Sequence, residues 1–390
     1  MHRPVGEDGA GEYTAATKGC FDVIAAASPA ILESIESMKI PDDSGSKKQG
    51  RPFTIADYGT ADAGTSLGLM CDVIARVRAR DPEREVLIVY EDQTNNEWKS
   101  VFRHAYGLIQ VTDAYGRKVD CPTQKYDKVF VSAVGLGFHV QVLPSSSVDL
   151  GVAFTAMHWL SKQPEGDLLV GYDGAMQCAQ LGAGDDKARP HALQAAADWE
   201  SILKARAAEM RQGARFMCVN FCKSKEGYYL GKTDKGQCMF DNFVVCWNAL
   251  HAKGVISEKE RVGVSFQSYY RTLEEMVDPV LMGGGSLESL GLKVISADVK
   301  VVRCPYREAW ESGSSQAAGR DAQAHAAWYV PTTRTWSNST FETALGSDRS
   351  AEEKADIMKQ FWKEYEMLVA KDPSAHGMDY VHGYCLYEKI

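Results

Sequence analysis

The stretch Phe53-Thr54-Ile55-Ala56-Asp57-Tyr58-Gly59-Thr60-Ala61-Asp62-Ala63-Gly64-Thr65-Ser66 constrains this chain more than any other. Phe53 to Asp57 reads as a short buried strand, and Gly59 and Gly64 permit a tight turn. A helix is predicted next, because Leu67, Met70, Cys71, Ile74 and Val77 recur at helical spacing. Strand, small-residue turn and helix N-terminus together let a nucleotide-like ligand approach backbone N–H groups. The following candidate strand, Val86 to Tyr90, ends in Glu91-Asp92. An acid at that tip accepts hydrogen bonds from both ribose hydroxyls of an adenosine.

The turn is neither GxGxxG nor a phosphate loop, which would need Gly-Lys-Ser/Thr. Asp57, inside the first turn, repels a pyrophosphate. It suits a ligand with adenosine at one end and positive charge elsewhere, and S-adenosylmethionine, with its sulfonium and ammonium, has that pattern. The competing reading is an ordinary α/β turn whose Asp caps the helix.

The rest of the chain, 390 residues with 45% hydrophobic content, suffices for one large core or a core plus insertion. A formal charge of -9 without a basic stripe argues against nucleic-acid partners. No apolar run is long enough to cross a membrane and no leader pattern stands at Met1, so a soluble cytoplasmic protein is expected. Ten scattered cysteines without a CxxC pair predict reduced, buried thiols. Cys20 has nothing beside it in sequence to make it a nucleophile.

Helices are predicted over Cys20–Met38, Pro190–Arg211 (Gly213 following its end), Phe240–Ala252, Leu273–Met282 and Ala351–Ala370. The last carries the acidic pair Glu352-Glu353 in its first turn, which favours the helix dipole, and offers Met358, Phe361, Trp362, Tyr365 and Met367 for packing. Further strands are predicted over Asp127–Ala133, Asp167–Tyr172, Arg215–Phe221, Val294–Val302 and His382–Ile390, and Val148–Leu160 is an apolar run. Pro41–Arg51 reads as an exposed loop that opens with a Pro41-Asp42-Asp43 turn. Alternating strands and helices give an α/β fold: a mostly parallel sheet with helices on both faces. Segments 48–222 and 293–390 are expected to form the core, with 1–47 and 223–292 as an N-terminal segment and an inserted helical cap.

In this order the chain resembles the SABATH methyltransferases, S-adenosylmethionine-dependent enzymes with a Rossmann-like class I core that methylate small acids on the carboxylate, or in some members purine-alkaloid nitrogens. Ile55-Ala56-Asp57-Tyr58-Gly59 resembles the family's I-A-D-L-G; Glu91-Asp92-Gln93 with Asn95-Asn96-Glu97-Trp98 resembles N-D-L-P-x-N-D-F. Val131-Ser132-Ala133-Val134-Gly135 with Phe138 resembles V-x-G-V-P-G-S-F-Y, and Met157-His158-Trp159-Leu160-Ser161 resembles S-L-H-W-L-S. Asp198-Trp199 through Arg206-Ala207 and Glu209 resembles D-F-x-x-F-L-x-x-R-A-x-E-L. Glu12-Tyr13-Thr14-Ala15 resembles the N-terminal S-Y-A segment, and Lys253 to Ile256 and Tyr269 to Glu275 resemble later landmarks.

The resemblance implies cofactor contacts at Tyr13, Asp57, Gly59, Asp62, Thr65, Asp92, Gln93, Gly137 and Phe138. Asp57 would lie near the methionine end, Asp92 on the ribose, and Gly137-Phe138 along the adenine. S-adenosylhomocysteine is the implied product and a homodimer the implied assembly. The implied acceptor side is Cys20, Thr155, Trp159, Met239 and Phe240. It departs from the pattern: Cys20 stands where the family has Gln, and Thr155 where it has Tyr. Ser265 replaces the Asn of a metal site found in some members, so no metal is expected. A carboxylate is ionised at neutral pH and needs no general base, only alignment. Trp159, through its indole N–H, and His158 are the candidate catalytic donors. Trp159, Met239 and Phe240 are alternatively core residues, and His158 alternatively a structural one. Methylation of nitrogen or sulfur, and a non-catalytic cofactor-binding protein, are the rival functions.

Overall fold

The computed structural model describes residues 8–38, 51–182, 184–235, 238–281, 284–314 and 320–390. The expected loop after Pro41 lies, up to residue 50, outside the described residues. In chain order the elements are α1 (Glu12–Ala16), α2 (Gly19–Ser37), β1 (Phe53–Tyr58), α3 (Leu67–Arg80), β2 (Val86–Asp92), α4 (Trp98–Ala105), α5 (Pro122–Lys125), β3 (Val129–Gly135) and β4 (Val148–Phe154). They continue with α6 (Arg189–Glu209), β5 (Met210–Phe221), α7 (Met239–Ala252), α8 (Glu258–Arg261), α9 (Leu273–Val277), β6 (Leu292–Val302), α10 (Pro305–Ser312), α11 (Ala322–Ala344), α12 (Ala351–Lys371) and β7 (Tyr380–Lys389).

The strands form one sheet in the order β3-β2-β1-β4-β5-β7-β6, parallel from β3 to β5, with β7 antiparallel to both of its neighbours. Every residue of β1 is buried, and β4 nearly so, as befits central strands covered on both faces. Alternate residues feed opposite layers. Ile55, Val152 and Met217 pack toward α2 and α3, with Val23, Ile31, Met70 and Ile74. Ala56, Ala153 and Phe216 pack toward α6 and α9, with Trp199, Ile202, Leu203 and Met276. The fold is therefore the expected Rossmann-like one, and its strand order reverses between β1 and β4. A ligand crevice belongs at that switch point, beyond the strand C-termini.

Beside the sheet lies a helical layer. Phe243 of α7 meets Phe341 of α11 and Phe361, Trp362 and Tyr365 of α12 at ring-centroid distances of 5.2–6.2 Å. The layer thus draws on α11 and α12 as well as on α7. The acidic start of α12 lies at the helix N-terminus as expected, and it also carries a capping box between Ser350 and Glu353.

Four expectations need correction. Asp167–Tyr172 is a turn, not a strand: Asp167 accepts from the Leu169 N–H at 2.9 Å and from Ser265 Oγ at 2.6 Å. The helix after Leu273 stops at Val277, because Pro279 holds the preceding Asp278 out of the helical region. Gly213 caps no helix. It lies within β5 at φ 77°, where the register against β4 shifts between Met210 and Arg215. Met367 is mostly exposed, while the other four α12 packing residues are buried. All ten cysteines are buried and free. Among the described residues no helix is long and apolar enough to cross a membrane.

Candidate active site

The turn after β1 is built for close approach. Gly59 adopts φ 74°, and a Cβ there would stand 2.3 Å from that of Ala156. Its N–H donates to the Glu91 carbonyl at 2.8 Å and to a Glu91 carboxylate oxygen at 3.1 Å. Ala61 and Ala63 also take positive φ, 50° and 67°, which is uncommon outside glycine and marks a constrained loop. Asp57 is buried behind the turn, accepting from Ser66 Oγ at 2.7 Å and Thr60 Oγ1 at 3.3 Å. Asp92, at the tip of β2, accepts from the N–H groups of Ala61 (2.8 Å) and Gln93 (2.7 Å). Burial raises both carboxyls to about 6 against these hydrogen bonds. Two acids desolvated with no ion pair among the described residues favour a ligand carrying hydroxyl donors and positive charge.

The loop after β4 carries the other wall. Arg271 is fully buried and donates to the carbonyls of Met157 (2.8 Å) and Ala195 (2.7 Å). Asp198 accepts from the N–H and hydroxyl of Ser161. Between these tethers, His158 is buried with its ring 4.8 Å from Phe221 and 4.9 Å from Trp159. A third network fixes the segment after β3. Arg206 pairs with Glu209 through two nitrogens at 2.9 Å and donates to the carbonyls of Phe138 and Val140 at 3.0 Å. Glu209 in turn accepts from Tyr58 Oη and from the N–H groups of Val142 and Leu143.

These walls enclose an inner cavity of about 70 Å³ at the switch point. It opens beside an outer cleft of about 670 Å³, and Gln93, Phe138 and Trp159 line both. Of the predicted residues, Tyr13, Cys20, Gly59, Asp92, Gln93, Phe138, Thr155, His158 and Trp159 meet in the inner cavity, and Gly137 lines the outer cleft. Five others line neither cavity, Asp57 among them, buried behind the turn. Asp62 is spent on α1, accepting from the N–H (2.9 Å) and hydroxyl (2.5 Å) of Thr14. Thr65 lies in the turn outside both cavities, and its neighbour Ser66 is the residue that reaches Asp57. Met239 and Phe240, expected in the acceptor pocket, are core: both are buried, and the Phe240 ring packs on Phe243 and Phe266. The acceptor wall is instead completed by Phe221, Trp336, Met378 and Tyr380, from β5, α11 and the approach to β7, none of which carried a motif. Burial pushes the Cys20 thiol up to about 11, so it is a neutral wall residue and not a nucleophile. Among the described residues no cluster of His, Cys, Asp and Glu could hold a metal ion.

Comparison with known proteins agrees with this geometry. The chain is 25% identical over 296 residues to gibberellic acid methyltransferase 1 of Arabidopsis thaliana, covering 72% of this chain and 73% of that protein. It is 23% identical over 245 residues to indole-3-acetate O-methyltransferase 1 of the same plant, 60% of this chain and 61% of the relative. A solved loganic acid methyltransferase, determined with S-adenosylhomocysteine, superposes with a TM-score of 0.68 at 17% identity, covering 99% of both chains. A profile of the SAM-dependent carboxyl methyltransferases matches residues 3–385, and the chain belongs to that family.

Proposed function

We propose that this protein esterifies the carboxylate of a small organic acid, with S-adenosylmethionine as methyl donor. The observation that carries the reading is that one cavity joins the ribose-type acid Asp92 and the Gly59 turn to the Trp159 and Thr155 wall. The residues fit the cofactor: Asp92 takes the ribose hydroxyls, the Asp57 charge faces the cationic end from behind the turn, and Gly59, Gly137 and Phe138 form the adenosine cradle. When bound, the cofactor supplies an electrophilic methyl on sulfonium. The protein's own task is to align an already ionised acceptor and exclude water. Trp159, at the junction of the two cavities, contributes an indole N–H to the acceptor side. His158 backs the Trp159 ring and serves as wall, with no proton to move in this reaction. The outer cleft accommodates the remainder of the acid. Its lining is amide- and hydroxyl-rich, with Gln163, Ser265, Gln267, Thr340 and Thr343, so it suits an uncharged body.

Three coarser proposals accompany this one. The working division is a sheet core with a cap made of 239–277, 305–314 and 320–371, supported by the shared aromatic cluster of α7, α11 and α12. Ten buried free thiols suit a reducing cytoplasm. A homodimer rests on the family resemblance, and light scattering of the purified protein reads it.

The function is tested by incubating the protein with S-adenosylmethionine and a panel of carboxylic acids, amines and thioethers, reading products by mass spectrometry. Methyl esters support the proposal. Methyl groups only on nitrogen or sulfur contradict it, as does cofactor binding with no transfer to any compound.

A further inference from the structure

His382 is a buried histidine whose ring touches the acceptor wall from behind. It lies on β7 opposite Phe221 of β5, and its ring stacks on that of Phe221 at 4.4 Å and 21°. Tyr380, on the same strand face, stacks on its other neighbour side at 5.9 Å and 11°. His382 is completely buried, and burial alone drives its pKa down to about 3, so the ring is neutral at any physiological pH. Nε2 stands 3.1 Å from Thr155 Oγ1, while Nδ1 has no hydrogen-bond partner.

The tautomer follows from that asymmetry. A neutral imidazole carries one N–H and one bare lone pair. An orphaned buried N–H is rarer and costlier than an unsatisfied acceptor. The proton therefore sits on Nε2, and His382 donates to Thr155 Oγ1. A hydroxyl has a single proton, and Thr155 Oγ1 has no other hydrogen-bond partner among the described residues. With a lone pair taken by His382, its O–H is left for the cavity that Thr155 lines. The other aliphatic hydroxyl of that cavity, Thr17, already gives its proton to the Tyr13 carbonyl at 2.6 Å.

Thr155 also occupies a costly conformation. Its φ is 59°, a left-handed value that a β-branched residue takes rarely. Its N–H is held by the Val219 carbonyl at 2.8 Å, which extends the β4–β5 ladder by one residue. Backbone strain of this kind persists where surrounding structure over-determines it, characteristically at ligand-binding positions.

We propose that Thr155 donates a hydrogen bond from its hydroxyl to the acceptor carboxylate and that His382 is the positioning residue that aims it. The inference rests on the carboxyl reading above and names the second donor of that site, beside Trp159. A neutral donor pair also suits the reaction: it fixes the carboxylate without the full cationic charge that would stabilise the ground state of the nucleophile more than the charge-dispersed transition state.

The test uses the 390-residue chain with benzoic, indole-3-acetic and gibberellic acids as probes. Thr155→Val keeps the branched shape and loses the proton. It should lower kcat/KM for ester formation about 10- to 100-fold, mainly through KM, with cofactor affinity unchanged. Thr155→Ser should stay within about threefold of the unmodified protein. His382→Phe should move KM in the same direction, and adding it to Thr155→Val should cost nothing further, a coupling that a purely structural His would not show. Long-range nitrogen NMR on histidine-labelled protein should show His382 protonated at Nε2 and bare at Nδ1, a readout independent of any variant's folding. Ester formation indifferent to Thr155→Val, additive effects in the double variant, or a proton on Nδ1 overturns the inference alone. Methyl transfer only to amines or thioethers overturns the carboxyl reading and this inference together.

Discussion

Each oxygen of Asp92 already accepts one backbone N–H, from Ala61 or from Gln93, so the carboxylate is oriented before any ligand arrives. Pre-orientation makes its loss expensive. Asp92→Ala is predicted to weaken S-adenosylmethionine about 10- to 100-fold by calorimetry, the range for hydrogen bonds to a charged group; unchanged affinity removes the ribose role. Asp57 and Asp92 both titrate near 6 because of burial. The folded chain holds these protons more tightly than the unfolded chain, whose reference is 3.8. Their contribution to stability is therefore largest at low pH and is lost as pH rises from about 4 through about 6. A cationic ligand selects the ionised forms. Its affinity should accordingly fall below pH 6, by up to about tenfold per pH unit for each carboxylate it engages. Calorimetry giving a flat affinity from pH 5 to 8 contradicts that coupling. The chemistry of both acids was legible in the sequence, since their charge and position on consecutive strand tips are local properties. The Thr155–His382 pair was not. It joins residues 227 apart, and nothing local to either announces the other.

At the level of elements, the end of α6 shows why a motif can be right without touching ligand. Arg206 and Glu209 lie one turn apart, both fully buried, and they clamp the segment from Phe138 to Leu143 that walls the cofactor side. Glu209→Gln leaves a buried guanidinium short of its counter-charge, and is predicted to cost about 3–5 kcal/mol in thermal or denaturant unfolding. A change below about 1 kcal/mol argues that the clamp is not maintained in solution. The start of α7 is the opposite case. Met239 and Phe240 invited a pocket assignment by their place in a gapped resemblance, but they pack into the aromatic layer. Phe240→Ala should destabilise by about 3–5 kcal/mol while leaving the ranking of acceptor acids intact; a changed ranking with stability retained would return Phe240 to the pocket. Helix α11 went unread for a physical reason. Its buried face mixes Tyr329, Val330 and Phe341 with Thr332, Thr333, Thr335, Ser337 and Asn338, so the apolar stripe is broken by polar residues, and Pro331 lies inside it. Several of those hydroxyls are satisfied within the helix, Thr333 by the Val330 carbonyl and Ser337 by that of Thr333. Trp336, which lines the acceptor wall, was hidden with it.

Over the whole molecule, the parallel half of the sheet was readable because β2 opens on the continuous apolar run Val86–Tyr90, and β1 and β4 are mostly apolar around Thr54, Asp57 and Asp149. The switch point that those strands define placed the site. The division between core and cap was harder to read, because α7 and the pair α11–α12 come from segments separated by β6 yet share one aromatic cluster. The acceptor wall is assembled from α11, β5 and the start of β7 with the residues that lead into it, so substrate preference is a property of the assembled fold and of no single motif. What joins these parts is the claim that one cavity brings a methyl donor to an anionic oxygen. The most direct test is single-turnover transfer from methyl-labelled S-adenosylmethionine to an equimolar mixture of carboxylic acids, amines and thioethers, with the labelled products identified by mass spectrometric fragmentation. The label should appear as methyl esters at neutral pH, with transfer reduced in Trp159→Phe while cofactor binding is retained. Label found only on nitrogen or sulfur, or transfer indifferent to Trp159, would contradict it.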